Sequence, residues 1–216
     1  MLTAVLAFAG VAAIINITPG LDTLLVLRTS MAHGRDGGLA AALGILTGCL
    51  AWGVATAIGL TAVLTASRFA YDALRIGGAL YLAWLGGTAL WRSRHRVREP
   101  APDREEKARA DSAAPRDRWA AFRAGLATNL LNPKAGLFYI SLLPQFIPEG
   151  APVFSATLLL TAVDLVELAL WYWIVTYAAS ALGERIRRPS FRRRLEQFSG
   201  VAFLGFAANL ALHDRA

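Results

Sequence analysis

Six long apolar segments constrain what this chain can fold into more than any other feature. They cover residues 2–27, 37–64, 69–91, 119–147, 152–182 and 195–212. A helix needs about 20 consecutive apolar residues to cross a hydrocarbon core of roughly 30 Å, and several segments reach that length. Because 56% of the residues are hydrophobic, a soluble domain with a polar surface is excluded. The sequence therefore predicts an all-α membrane protein with six transmembrane helices.

The first and last segments admit other interpretations. The last is the shortest and carries Gln197, Ser199 and Asn209, so a five-span protein with a terminal segment at the membrane surface remains an alternative. The first has no Lys or Arg before its apolar run and is followed by further spans. We therefore expect it to be a span rather than a cleaved signal peptide.

Lys and Arg are distributed unevenly between the connections. The first, third and fifth connections contain eighteen of them, whereas the other side has only Arg68 and Arg215. The positive-inside rule places the odd connections in the cytoplasm and both termini outside. This topology accounts for the net charge of +7 without a nucleic-acid partner, although basic loops can also bind nucleic acid or anionic lipid.

The chain divides into two halves at a charged segment. Residues 93–118 mix basic and acidic residues with three prolines, which is typical of a disordered cytoplasmic linker. Residues 1–92 and 119–216 each contain three spans, so the two halves would insert with opposite topology. This arrangement is typical of transporters built from inverted repeats, in one transmembrane domain.

Each half opens with a span that contains proline. The sequence is NITPG at residues 16–20 and NLLNPK at residues 129–134. Proline removes a backbone donor, and asparagine can bond to backbone groups released inside the membrane. A kink without a ligand is the alternative for either motif alone. Their equivalent positions favour two Pro-broken helices that meet near the midplane and bind an anionic group at their N-termini.

Five ionisable residues lie within the spans, where a charge costs about 2.5–3.5 kcal/mol. Asp22 could carry a proton, bind a substrate ammonium or cap its helix. Lys134 could hold a substrate carboxylate or pair with Asp22. Asp164 and Glu167 share a helix face, as in a proton relay or a hydrated vestibule, and Arg75 is typical of a snorkelling or paired residue. The predicted site for substrate and protons comprises Asn16, Pro19, Gly20, Asp22, Thr23, Asn129, Asn132, Pro133, Lys134, Asp164 and Glu167.

Four stretches of the chain resemble the LysE/RhtB family of amino-acid exporters. They are NITPGLDTLLVLR from residue 16, GGALYLAWLG from 77, GLATNLLNPK from 125 and LLPQF from 142. The resemblance implies a bacterial plasma-membrane exporter of an amino acid or related metabolite, driven by exchange with protons. This implied function rests on six residues that match the family pattern: Pro19, Gly20, Asp22, Asn132, Pro133 and Lys134. One departure is Leu21, where many relatives have a second proline.

Other functional classes have less support in the residues. The three histidines form no ligand spacing, and Cys49 is the single cysteine, which argues against a metalloenzyme or a dithiol carrier. We therefore expect a transporter without a cofactor. A channel or scaffold stays open, because the spacing of Gly44 and Gly48 also builds pores, helix dimers and internal contacts. The family and fold imply a homodimer, and the substrate remains undetermined.

Overall fold

The structure, a computed structural model, describes residues 1–18, 20–66 and 117–179, with isolated positions within 76–91 and 194–208. Its elements are α1 (Leu2–Ile17), α2 (Leu21–Ala66), α3 (Arg118–Leu130), α4 (Pro133–Leu137), a π-helical turn (Phe138–Leu142), a 3₁₀ turn (Leu143–Phe146) and α5 (Val153–Tyr177). Every regular element in these ranges is helical. The prediction of an all-α protein is therefore confirmed for the described residues.

A sharp turn divides α2 into two rods, residues 21–32 and 35–66. His33 and Gly34 leave the helical conformation, and Gly34 has φ of 68°, in the left-handed region that glycine adopts without a steric penalty. The turn lies between the first two predicted spans. α1 and the first rod together cover the first predicted span, and the second rod covers the second.

The described helices expose an apolar surface. Leu2 is 73% exposed, Leu43 59% and Leu170 60%, the reverse of what a water-soluble helix bundle presents. The segments Leu21–Ala62 and Val153–Tyr177 are each long and apolar enough to cross a membrane. These features agree with an all-α membrane protein.

Part of the predicted organisation lies outside the described residues. This holds for Arg75, for linker residues 93–116, and for most of the predicted spans 69–91 and 195–212, where the described positions are helical. The number of spans therefore stays a prediction. The end of the predicted linker is described: Asp117 caps α3 by accepting a hydrogen bond from the Ala120 amide, and α3 begins at Arg118.

Glycines bring α2 and α3 into backbone contact. A Cβ on Gly44 would lie 2.0 Å from the carbonyl oxygen of Phe122, and one on Gly125 would lie 2.1 Å from that of Ala41. No side chain fits at either position, because each helix packs directly on the backbone of the other. Gly44 thus serves a contact inside the chain, one of the three roles that its spacing allowed.

The segment that follows α4 winds irregularly and packs against α1. It passes from a π-helical turn to a 3₁₀ turn, and Pro144 has no N–H for the carbonyl of Ile140 four residues earlier. The ring centroid of Phe8 in α1 lies 5.8 Å from Phe138 and 5.4 Å from Phe146. These contacts hold the irregular segment of the second half against the first helix of the chain.

Gly86 and Gly200 make a reciprocal contact. A Cβ on Gly86 would lie 2.9 Å from the carbonyl oxygen of Gly200 and 2.8 Å from Leu204. A Cβ on Gly200 would lie 3.0 Å from the carbonyl oxygen of Gly86 and 2.8 Å from Leu90. Gly86 and Gly200 are 114 residues apart, as are Leu90 and Leu204. The two sides of this contact therefore share the same sequence separation.

Candidate functional site

A small cavity lies where α1, α2, α3, α4, the π-helical turn and α5 meet. Its volume is about 50 Å³, which is room for a few water molecules. The residues that line it are Ile15, Asn16, Thr18, Gly20, Asp22, Thr23, Cys49, Asn129, Asn132, Lys134, Ala135, Phe138, Tyr139, Asp164, Leu168 and Tyr172. The cavity thus joins both proline-containing motifs.

Asp22 lies in the first turn of α2 and is held by amides of the second half. Its Oδ2 accepts hydrogen bonds from Nδ2 of Asn129 at 3.0 Å and from Nδ2 of Asn132 at 3.1 Å. Its Oδ1 is buried and has no hydrogen-bond partner. A buried carboxylate oxygen without a donor is costly, so this atom marks a place where a ligand can donate.

Asn129 is held between Asp22, in the first rod of α2, and the second rod of α2. Its Nδ2 also lies 3.2 Å from Sγ of Cys49, and its Oδ1 packs against Gly48, where a Cβ would come within 2.5 Å. Gly48 therefore provides the space that lets the Asn129 amide reach Asp22. Gly48, the second glycine of the Gly44 and Gly48 pair, therefore has a role in the site.

Asp164 in α5 is held by donors from both halves. Its Oδ1 accepts from Nδ2 of Asn16 at 2.9 Å, and its Oδ2 accepts from the Tyr139 hydroxyl at 2.6 Å. The side chain is 1% exposed. Both of its oxygens are therefore satisfied within the protein, unlike those of Asp22.

Lys134 connects α4 to the end of α1. Asn132 caps α4 by accepting from the Lys134 amide at 3.0 Å, with Pro133 at the first helical position. The Lys134 ammonium donates to the carbonyl oxygens of Ile15 at 2.7 Å and Thr18 at 3.1 Å. It is thus hydrogen-bonded to carbonyls at the end of a helix, where a cation is favoured, and interacts with Asp22 and Asp164 only through their charge.

These bonds cross between the two halves of the chain in both directions. The carboxylate of Asp22 binds asparagines of the second motif, and that of Asp164 binds the asparagine of the first. Lys134 of the second half binds carbonyls of the first. The cavity therefore holds two carboxylates and one ammonium group, and its walls are tied together by hydrogen bonds between the halves.

Most of the residues predicted for the site meet at this cavity. Those that line it are Asn16, Gly20, Asp22, Thr23, Asn129, Asn132, Lys134 and Asp164. Pro133 begins α4 beside it without lining it. Glu167 lies one turn beyond Asp164, partly exposed and outside the lining, so the two acids of the predicted relay do not both face the cavity. Pro19 lies outside the described residues.

Several lining residues were not anticipated from the sequence. Tyr139, Tyr172 and Phe138 form aromatic parts of the wall, and Cys49 contacts the Asn129 amide. A signal existed for Tyr139, because a tyrosine inside an apolar span needs a partner for its hydroxyl. No spacing rule connects it to Asp164, and Cys49 carries no local signature at all.

Comparison with known proteins places this chain in a family. Residues 13–214 match the family model described as LysE type translocator. The leucine efflux protein of Enterobacter sp. (strain 638) is 34% identical, covering 91% of this chain and 90% of that protein. The threonine efflux protein of Escherichia coli (strain K12) is 27% identical, covering 98% and 99%.

A membrane protein of Bacillus subtilis (strain 168), YrhP, is 26% identical, covering 96% of this chain and 98% of that protein. No solved structure matches the chain. The resemblance inferred from the residues 16–28 and 125–134 is therefore confirmed over nearly the whole sequence. This chain belongs to the LysE-type translocator family, and so is a transporter rather than an enzyme.

Proposed function

We propose that this protein exports an amino acid or an amino-acid derivative across the bacterial plasma membrane in exchange for protons. The observation that carries the proposal is a cavity between the two motifs that contains a carboxylate oxygen without a partner and a partly buried ammonium. An amino acid carries the complementary pair of charges. Relatives named for the efflux of leucine and of threonine support the same substrate class.

The two charged ends of an amino acid have complementary groups in the cavity. The substrate ammonium would donate to Oδ1 of Asp22. The substrate carboxylate would accept a hydrogen bond from the third N–H of Lys134. An ammonium has three donors, and two of them already donate to the carbonyls of Ile15 and Thr18. The N-terminus of α2, which begins at Leu21 beside the cavity, would add a favourable dipole for the carboxylate.

We also propose that the two halves are inverted repeats with discontinuous first helices. Helix interruptions lie at equivalent places: α1 ends at Ile17 and α2 begins at Leu21, and α3 ends at Leu130 and α4 begins at Pro133. Pro19 and Pro133 are 114 residues apart, and so are Gly86 and Gly200, which contact each other. A two-fold axis between the halves would require such a constant separation.

Two contacts support the proposed topology, with the basic connections in the cytoplasm and both termini outside. Asp36, after the turn in α2, forms an ion pair with Arg118 at the start of α3. The Arg35 guanidinium lies 4.5 Å from the ring centroid of Tyr177 at the end of α5. The described helix ends that border the first, third and fifth connections therefore lie on one side, which the positive-inside rule assigns to the cytoplasm.

Transport would proceed by alternating access between the repeats. The cavity is smaller than an amino acid, so substrate entry requires the bonds between the halves to open on one side. Substrate would enter from the cytoplasm and separate the halves, and a proton from outside would replace its ammonium on Asp22. Asp164, alone or with Glu167, is the second candidate for the proton. The predicted homodimer remains a separate proposal.

Counterflow in proteoliposomes tests this function. Labelled leucine, threonine and lysine are offered to wild type, Asp22→Asn and the control Asp36→Asn, with and without a pH gradient. We expect saturable exchange that the gradient accelerates, a loss in Asp22→Asn, and normal exchange in Asp36→Asn because Asp36 is an exposed partner of Arg118. Exchange of no amino acid would favour another metabolite, and unsaturable flux that ignores the gradient would favour a channel.

A further inference from the structure

We propose that the cavity selects amino acids with an uncharged, aliphatic side chain over those with a cationic one. This inference rests on the proposed function and names the substrate class of the same site. It depends on which polar atoms of the described wall are already bonded and on the residues that form the remaining surface.

Few carboxylate oxygens in the described wall are left without a hydrogen-bond donor. Two carboxylates line the described cavity, those of Asp22 and Asp164. Both oxygens of Asp164 accept hydrogen bonds, and so does Oδ2 of Asp22. One oxygen, Oδ1 of Asp22, has no partner, and the α-ammonium of the substrate uses it. A cationic side chain would then have to share the oxygens of Asp164 with Asn16 and Tyr139, and so disturb buried hydrogen bonds between the two halves, which is costly.

Most polar side chains of the wall are also hydrogen-bonded, although Oδ1 of Asn129, which packs against Gly48, has no partner. The amides of Asn16 and Asn132 donate to the two carboxylates, the carbonyl oxygen of Asn132 accepts from the Lys134 amide, and the Tyr139 hydroxyl donates to Asp164. A polar substrate side chain would compete with bonds that hold the two halves together. An aliphatic side chain makes no such demand.

An apolar surface remains for the substrate side chain. Ile15 of α1, Phe138 of the π-helical turn and Leu168 of α5 line the cavity, each less than a tenth exposed. Burying aliphatic groups against such a surface is favourable in proportion to the area covered. Leu168 lies one turn beyond Asp164, so the apolar surface adjoins the saturated carboxylate.

A competition experiment with a matched pair of variants tests this selection. Proteoliposomes exchange labelled leucine against unlabelled leucine, threonine or lysine, in wild type, Leu168→Ala and Leu170→Ala. Leu170 lies on the same helix but is 60% exposed and lies outside the described lining of the cavity. We expect leucine to compete best, and lysine at least about tenfold less well. In Leu168→Ala the preference for leucine over threonine should fall about tenfold, with no change in Leu170→Ala.

The outcomes separate the inference from the function on which it rests. Lysine that competes as well as leucine, or an unchanged preference in Leu168→Ala, would overturn the selection while leaving amino-acid exchange intact. If Leu168→Ala does not insert or fold, the wild-type ranking of leucine against lysine still decides. Failure to exchange any amino acid would instead refute the proposed function, and the inference with it.

Discussion

Asp22 and Asp164 are two buried carboxylates in the wall of one cavity, yet their surroundings differ. Asp164 is 1% exposed and both of its oxygens accept hydrogen bonds, from Asn16 and Tyr139. Asp22 is 9% exposed, and two asparagines share one of its oxygens while the other has no partner. The difference indicates that Asp164 joins the two halves and that Asp22 is available to a ligand. Variants at and around these residues test this division.

Replacing Asp164 should have the largest effect on stability. The Asp164→Leu variant leaves the Asn16 amide and the Tyr139 hydroxyl without acceptors in a buried site, at about 1–3 kcal/mol each. We expect the free energy of unfolding to fall by about 2–5 kcal/mol, measured as thermal unfolding of the purified protein in detergent.

The matched variant Asp22→Asn should lose transport with little change in stability. Its amide oxygen can still accept from Asn129 and Asn132, while its nitrogen no longer attracts an ammonium. Loss of one charge-assisted bond corresponds to about 10- to 100-fold in transport. Equal destabilisation by the two variants would contradict the division between the carboxylates.

A substitution at Gly48 tests whether the Asn129 amide holds Asp22 in place. In Gly48→Ala the new Cβ would lie 2.5 Å from Oδ1 of Asn129 and would displace the amide that holds Asp22. We expect transport to fall about tenfold and the free energy of unfolding to fall by about 1–3 kcal/mol. Gly59→Ala on the same helix is the control, because no atom lies within 4 Å of its Cβ. Similar behaviour of the two variants would show that Asn129 can move without consequence.

Chemical labelling of Cys49 tests the site without any substitution in the wild-type chain. Cys49 is the single cysteine, is 3% exposed and contacts the Asn129 amide in the cavity wall. A small methanethiosulfonate reagent should react only when the cavity opens, and bound substrate should slow the reaction. In Asp22→Asn, substrate should no longer slow the labelling of Cys49. The Cys49→Ser variant should not react with the reagent. Labelling that substrate leaves unchanged in wild type would place the substrate elsewhere.

Part of the site could be predicted because charged residues are unusual in an apolar span. A carboxylate or ammonium inside a membrane segment is costly, and this cost drew attention to Asp22, Lys134 and Asp164. The same argument also selected Glu167, which lies outside the described lining of the cavity. Burial cost identifies unusual residues along a helix, but it does not say toward which neighbour each one points.

The contacts of Lys134 show a second limit. Its sequence position next to Pro133 suggested a substrate carboxylate or Asp22 as its partner. In the structure it donates to the carbonyls of Ile15 and Thr18, about 116 to 119 residues away in the chain. These carbonyls become available because α1 ends there, and a main-chain oxygen has no residue-type signature in the sequence.

The sequence by itself determined the helical class, the apolar surface, the family and local features such as the connection between the first two spans and the helix break at Pro133. Such features depend on neighbours within a few residues and on the solvent that each segment requires. The tertiary structure decided which carboxylate keeps a free oxygen. The asparagine donors of Asp22 and Asp164 come from 107 to 148 residues away, so only packing of the two halves brings donors and acceptors together.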